Sequence, residues 1–129
     1  MFKIYITIFL LFFVNLYAEI VKELDVKGNN RISLETIKVY GEINIGDDVS
    51  AFDVNIILKN LYKTNFFEDV KISLSNGALN ITVKEYAVIN FIELKGEKSN
   101  TIKKSVLEKL QLKPKESFIE NKVLEDVNL

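Results

Sequence analysis

The chain has 129 residues, 48% of them hydrophobic, with five glycines, one proline and 17 basic against 18 acidic side chains. That balance excludes a disordered chain and a nucleic-acid binder working through a basic face. Histidine and cysteine are both absent, which removes disulfides, the commonest general base and the usual thiol and transition-metal ligands; no catalytic residue, cofactor, metal or small-molecule substrate is expected.

Residues 1–18 read as a secretory signal peptide, with Lys3 as the positive n-region, an apolar run from Ile4 to Val14, and Leu16-Tyr17-Ala18 ahead of a cleavage point between Ala18 and Glu19. The run is shorter than the roughly 20 apolar residues that span a bilayer. Leu16 is bulkier than an A-x-A site prefers, so an uncleaved anchor is the alternative. Either way the rest of the chain is expected to be exported. Loss of residues 1–18 leaves a nearly neutral chain, 16 basic against 18 acidic.

Leu24 and Val26 alternate with Glu23, Asp25 and Lys27, predicting a half-buried strand that stops at Gly28. Ser33 offers an N-cap to a two-turn helix with Leu34, Ile37 and Tyr40 inward. Residues 41–48 read as a loop. Ser50 and Asp53 have capping-box spacing, and Val49 and Val54 stand where a hydrophobic staple would close around it. Val54, Ile57, Leu58 and Leu61 then line one face of a helix that ends near Thr64-Asn65. Val70, Ile72 and Leu74 alternate with polar residues, Asn76-Gly77 is a strong hairpin signal, and Leu79, Ile81 and Val83 alternate on the return strand. Residues 19–86 thus predict a β-α-α-β-β unit with both helices on one face of a small sheet.

The pattern then starts again. Leu24-Asp25-Val26-Lys27-Gly28 recurs as Ile92-Glu93-Leu94-Lys95-Gly96, Thr36-Ile37-Lys38 as Thr101-Ile102-Lys103, Ile43-Asn44-Ile45 as Leu110-Gln111-Leu112, and Ser50-Ala51-Phe52-Asp53 as Ser117-Phe118-Ile119-Glu120. Residues 87–129 therefore predict a strand over Ile89–Lys95, a helix over about Thr101–Leu110 and a second helix capped at Ser117. No counterpart of the Val70–Val83 hairpin follows, so this second unit is expected to be truncated and the chain to be an N-terminal fragment.

Tandem exported β-α-α-β-β units resemble POTRA domains, the polypeptide-transport-associated modules of BamA-like outer-membrane assembly factors. The resemblance rests on Val26-Lys27-Gly28-Asn29-Asn30-Arg31-Ile32, on Ile45-Gly46-Asp47, and above all on Leu61-Tyr62-Lys63-Thr64-Asn65-Phe66-Phe67-Glu68-Asp69-Val70. It covers nearly all of residues 19–129, and departs at Asn65, where the family usually has glycine. It implies an α+β fold, a three-stranded mixed sheet with two helices on one face, in tandem: POTRA domain 1 at residues 19–86 and an incomplete POTRA domain 2 at residues 87–129. It also implies work at the periplasmic face of the bacterial outer membrane, held there by a C-terminal barrel that these residues do not contain. The partners implied are unfolded outer-membrane protein clients and periplasmic or lipoprotein members of a β-barrel assembly complex. A TamA-like or two-partner-secretion protein, or an FtsQ-like inner-membrane division protein, are the alternatives.

In such a module Val70, Lys71, Ile72, Ser73, Leu74 and Ser75 would form an edge strand to which an extended client adds as a further strand. The other conspicuous groups read as structural. Asp47-Asp48 and Glu68-Asp69 are adjacent pairs at element junctions, where acids cap and turn the chain. Glu42, Asp47 and Asp48 lack the alternation of a calcium loop. Lys103, Lys104, Lys113 and Lys115 form a solvated basic cluster, and of Phe66-Phe67 one ring is core while the other covers a helix end.

Overall fold

The computed structural model describes residues 18–128. Their elements are β1 (Glu19–Ile20), β2 (Glu23–Lys27), α1 (Leu34–Gly41), β3 (Asp48–Val49), α2 (Ala51–Lys63), β4 (Phe67–Ser75), β5 (Ala78–Glu85), α3 (Asn100–Lys109) and α4 (Glu120–Val127). The signal-peptide reading falls on residues outside this range, and its Ala18–Glu19 junction lies where β1 begins.

Each helix of the first unit starts at the cap its sequence offers. Ser33 Oγ accepts the Thr36 N–H at 3.1 Å and opens α1. At α2 the capping box is complete: Ser50 Oγ accepts the Asp53 N–H, and the Asp53 carboxylate accepts the Ser50 N–H at 2.9 Å. Asn65 then takes a left-handed φ of 57° and turns the chain into β4, the conformation glycine supplies most cheaply and asparagine next.

The sheet is mixed, in the order β2-β5-β4, with β2 parallel and β4 antiparallel to the central β5. Asn76 and Gly77 at φ 56° and 83° make the two-residue turn between β4 and β5. Because strand side chains alternate, Leu79, Ile81 and Val83 of β5 enter one core with Val70, Ile37, Ile57, Leu61 and Phe67. Leu24, Val26, Ile72 and Leu74 flank that core, and Lys71, Asn80 and Thr82 stand on the opposite, helix-free face. Phe67 is the buried ring of its pair; Phe66 packs edge-on between it and the half-exposed Tyr40. Tyr40 therefore leans on Phe66 from outside instead of entering the core.

Two contacts clamp β5 to its surroundings. At Gly28, φ 84°, an added Cβ would lie 2.0 Å from the Val83 carbonyl oxygen, so only glycine permits this approach of the β2 exit to β5. At the other contact the Glu85 carboxylate accepts the successive N–H groups of Asn30, Arg31 and Ile32 at 2.9–3.0 Å and faces the Arg31 guanidinium at 3.6 Å. The loop before α1 thus wraps a single, largely shielded anion.

Four expectations are corrected. Residues 41–48 are not all loop: α1 runs through Gly41, and Asp48–Val49 pairs antiparallel with Glu19–Ile20, continued by Val21 N–H to Asp47 O. Phe67–Asp69 also belongs to β4, which has an irregular register there. In the second unit Ile89–Lys95 forms no ladder; only Val88 bridges, to Ser117, because no strand equivalent to β5 is present among the described residues to pair with the segment after it. Finally, Ser117 is not a helix cap. It is buried in that bridge, and α4 starts at Glu120 after Ile119, which provides no side-chain cap.

The bridge nonetheless repeats the first unit closely. Ile89 N–H donates to Glu116 O and Lys115 N–H to Ile89 O, as Val21 N–H donates to Asp47 O and Gly46 N–H to Val21 O. Lys115 even shares the positive φ of Gly46, 71° against 99°. Ser99 caps α3, and Lys113, read as a solvated lysine, donates to the terminal carbonyls of that helix at Leu107 and Glu108.

Glu85→Ala leaves three backbone donors and a guanidinium without their anion. A loss of about 2–4 kcal/mol is expected in urea unfolding, against a near-neutral Lys84→Ala, whose partner Glu68 is exposed.

Candidate functional site

Two edges bound the sheet. The β2 edge is five residues long and its outward-facing positions Glu23, Asp25 and Lys27 are charged, features that blunt strand pairing. The β4 edge is nine residues long and runs beside α2.

In-plane geometry fixes which groups β4 offers. The Val70 N–H donates to the Tyr62 hydroxyl at 3.1 Å, so Val70 turns its peptide groups away from β5. Antiparallel strands alternate hydrogen-bonded and non-bonded pairs. Ile72 (opposite Ile81) and Leu74 (opposite Leu79) therefore also point their N–H and C=O outward, while Lys71, Ser73 and Ser75 are bonded to β5. Ser75 and Ala78 close the two-residue turn, as that alternation requires.

A cleft of about 430 Å³ lies along this edge, with Ile72 and Leu74 on one wall, Ala51, Val54 and Asn55 of α2 on the other, and Glu19 and Val49 at one end. Of the six residues anticipated for the edge, Ile72, Ser73 and Leu74 line the cleft, Val70 is buried, and Lys71, Ser73 and Ser75 are exposed. Lys71 pairs with Asp69 at 3.5 Å. Tyr62 was legible only as part of a family motif, because a tyrosine on the outer side of an amphipathic helix carries no periodic signal.

A second feature lies in residues 87–128. Ile89, Phe91, Ile92, Leu112, Phe118 and Val123 line an apolar hollow of about 470 Å³. Phe91 is 76% exposed and Phe118 46%, which is unusual for aromatic rings unless something covers them.

Three of the acids at element junctions have structural partners. The Asp47 carboxylate accepts from the Asn44 N–H at 3.0 Å, Glu68 pairs with Lys84 at 2.8 Å, and Asp69 accepts from Tyr62 Oη at 3.3 Å. Among the described residues no group of three potential ligands is placed to hold a metal ion, and no helix is long and apolar enough to cross a membrane.

The architecture is that of solved POTRA domains. The N-terminal domain of Omp85 from Thermosynechococcus elongatus superposes with a TM-score of 0.58 at 14% identity, covering 84% of this chain and 48% of that one. The POTRA1-2 portion of the periplasmic domain of Omp85 from Anabaena gives 0.51 at 12% identity, covering 84% and 73%. The fold thus defines a POTRA-type module.

No protein-family model matches the chain. Its curated relatives are outer membrane protein assembly factors named BamA. That of Neorickettsia risticii is 25% identical over 104 residues, 81% of this chain and 14% of the relative; that of Neisseria meningitidis is 31% identical over 89 residues, 67% and 11%. The Buchnera aphidicola protein is 29% identical over 116 residues, 85% and 19%. The chain thus spans less than a fifth of these relatives' length, and within that span it is a BamA-like POTRA region.

The capping box that opens α2 beside the cleft is sensitive to acid. The Ser50 hydroxyl, and then the Ser50 N–H, hold the Asp53 carboxyl below its ordinary value of 3.8. A carboxyl with a lowered folded-state value stabilises above the ordinary value and loses that contribution as pH falls through the folded one. Asp53→Asn should therefore lower the melting temperature at neutral pH, and the difference from the parent chain should close as pH drops below 3.8.

Proposed function

We propose that this chain is the periplasmic POTRA scaffold of an outer-membrane β-barrel assembly factor, and that it binds client or partner polypeptides by strand addition at β4. The observation that carries this reading is an edge left open among the described residues: Ile72 and Leu74 point main-chain donors and acceptors outward along a cleft of mixed polar and apolar lining. An extended polypeptide bound there gains main-chain hydrogen bonds with little demand on its sequence, which suits a factor with many clients. Its side chains alternate between the cleft and the face carrying Lys71 and Ser73, so the complementary segment has apolar residues at every second position. Strands of outer-membrane barrels have that pattern. The similarity to BamA supports the setting, and the reading of residues 1–18 as a removable signal supports export across the inner membrane.

Residues 87–129 are, in the same proposal, the opening part of a second POTRA unit. The repeated bridge and the apolar hollow support it, and a hairpin equivalent to β4–β5 is the piece that fits. Anilinonaphthalenesulfonate should fluoresce on binding this 129-residue chain, and Val123→Asp should reduce the signal several-fold. In a longer chain carrying that hairpin the dye site should be covered; dye binding of undiminished strength there counts against the second unit.

Ile72→Pro tests the edge. Proline at residue 72 deletes an outward N–H and leaves the ladder to β5 intact, whereas Ser73→Pro would break it. Ile72→Pro should bind a peptide from an outer-membrane barrel strand at least about tenfold more weakly, with an unchanged circular dichroism spectrum. Equal affinity in a folded variant would sink strand addition at β4.

A further inference from the structure

We infer that the Tyr62 hydroxyl is a register stop: it confines strand addition on β4 to the two outward-facing residues Ile72 and Leu74. This inference rests on the strand-addition reading and concerns how far an added strand can run.

Three outward positions alternate along the regular part of β4, namely Val70, Ile72 and Leu74. Only the first has its N–H engaged by a side chain. Tyr62 is the penultimate residue of α2, and its hydroxyl accepts the Val70 N–H at 3.1 Å while donating to Asp69 Oδ1 at 3.3 Å. With donor and acceptor both used, the hydroxyl is held in one orientation. An incoming carbonyl cannot reach the Val70 N–H without displacing it, and displacement would free the Asp69 carboxylate as well.

The opposite end of the edge is set by the Asn76-Gly77 turn, where β4 hands over to β5. The Glu19 carboxylate accepts the Gly77 N–H, and the Gly77 carbonyl accepts the N–H groups of Lys22 at 2.7 Å and Glu23 at 3.1 Å. The hairpin tip is thereby fastened to the segment after β1. Between this fastening and Tyr62 the edge offers the N–H and C=O of two residues, enough for a strand of about five residues paired over its middle. Because one-residue slips invert every side chain, a short window with a fixed end also sets which client side chains enter the cleft. Tyr62 therefore acts on register without lining the cleft.

Amide hydrogen exchange followed by NMR on the full chain separates the possibilities, with the acetylated and amidated heptapeptide KTVTVTK as probe. In the free protein Tyr62→Phe should speed exchange at Val70 about tenfold and leave the β5 amides as they were. On adding the peptide to the parent chain, exchange should slow at Ile72 and Leu74 and stay unchanged at Val70; in Tyr62→Phe, Val70 should join the protected set. Peptide protection that already includes Val70 in the parent chain overturns the stop, as does a protected window that Tyr62→Phe does not lengthen. Absence of protection at Ile72 and Leu74 in both variants overturns strand addition itself, and the stop with it.

Discussion

Strand β5 pairs along both of its edges, in parallel with β2 and antiparallel with β4, and it also supplies Leu79, Ile81 and Val83 to the core. Neighbouring features serve to bring other segments to it. Gly28 lets the β2 exit pass against the Val83 carbonyl, Asn76-Gly77 delivers β5 in register from β4, and Glu85 at its end gathers the loop that leads into α1. With β5 satisfied on both sides, β2 and β4 each keep one unsatisfied edge. The difference between those edges in length, charge and neighbouring helix is what makes one of them a candidate surface for polypeptide capture.

The second unit shows the same dependence from the other direction. It repeats the short bridge, the capped first helix and the loop with its left-handed residue, yet the segment after the bridge stays unpaired and Phe91 and Phe118 stay exposed. Local signals thus set the helices and the bridge, with no ladder beside them among the described residues.

Much of the first unit was legible because its signals are local: the Ser33 cap, the Ser50–Asp53 box, the i, i+3, i+4, i+7 face of α2, and the Asn76-Gly77 turn between alternating strands. What escaped were features defined by a partner far along the chain. The β1–β3 pair is two residues on each side, too short for periodicity to register, and Glu19–Ile20 meets Asp48–Val49 only after α1 has folded back. Ser117 looked like a cap because it precedes a helix with an acid three residues on, but the backbone bridge to Val88 claimed it. At the candidate site, the alternation of Val70, Ile72 and Leu74 was readable, whereas the outward direction of their peptide groups became evident only from the Tyr62 contact.

The direction of the pairing between β2 and β5 has a mechanical consequence. The chain enters the sheet at the start of β2 and leaves toward the second unit from the end of β5, and these two strands are parallel neighbours. Tension applied between the two ends of the unit pulls β2 and β5 past each other along their length, loading all of their hydrogen bonds together in shear instead of opening them one at a time. Forced unfolding is governed by the height of the unfolding barrier, and shear geometry raises it. A pulling load applied across the unit is in this way carried through the β2–β5 pair, and the β4 edge lies outside the line of force.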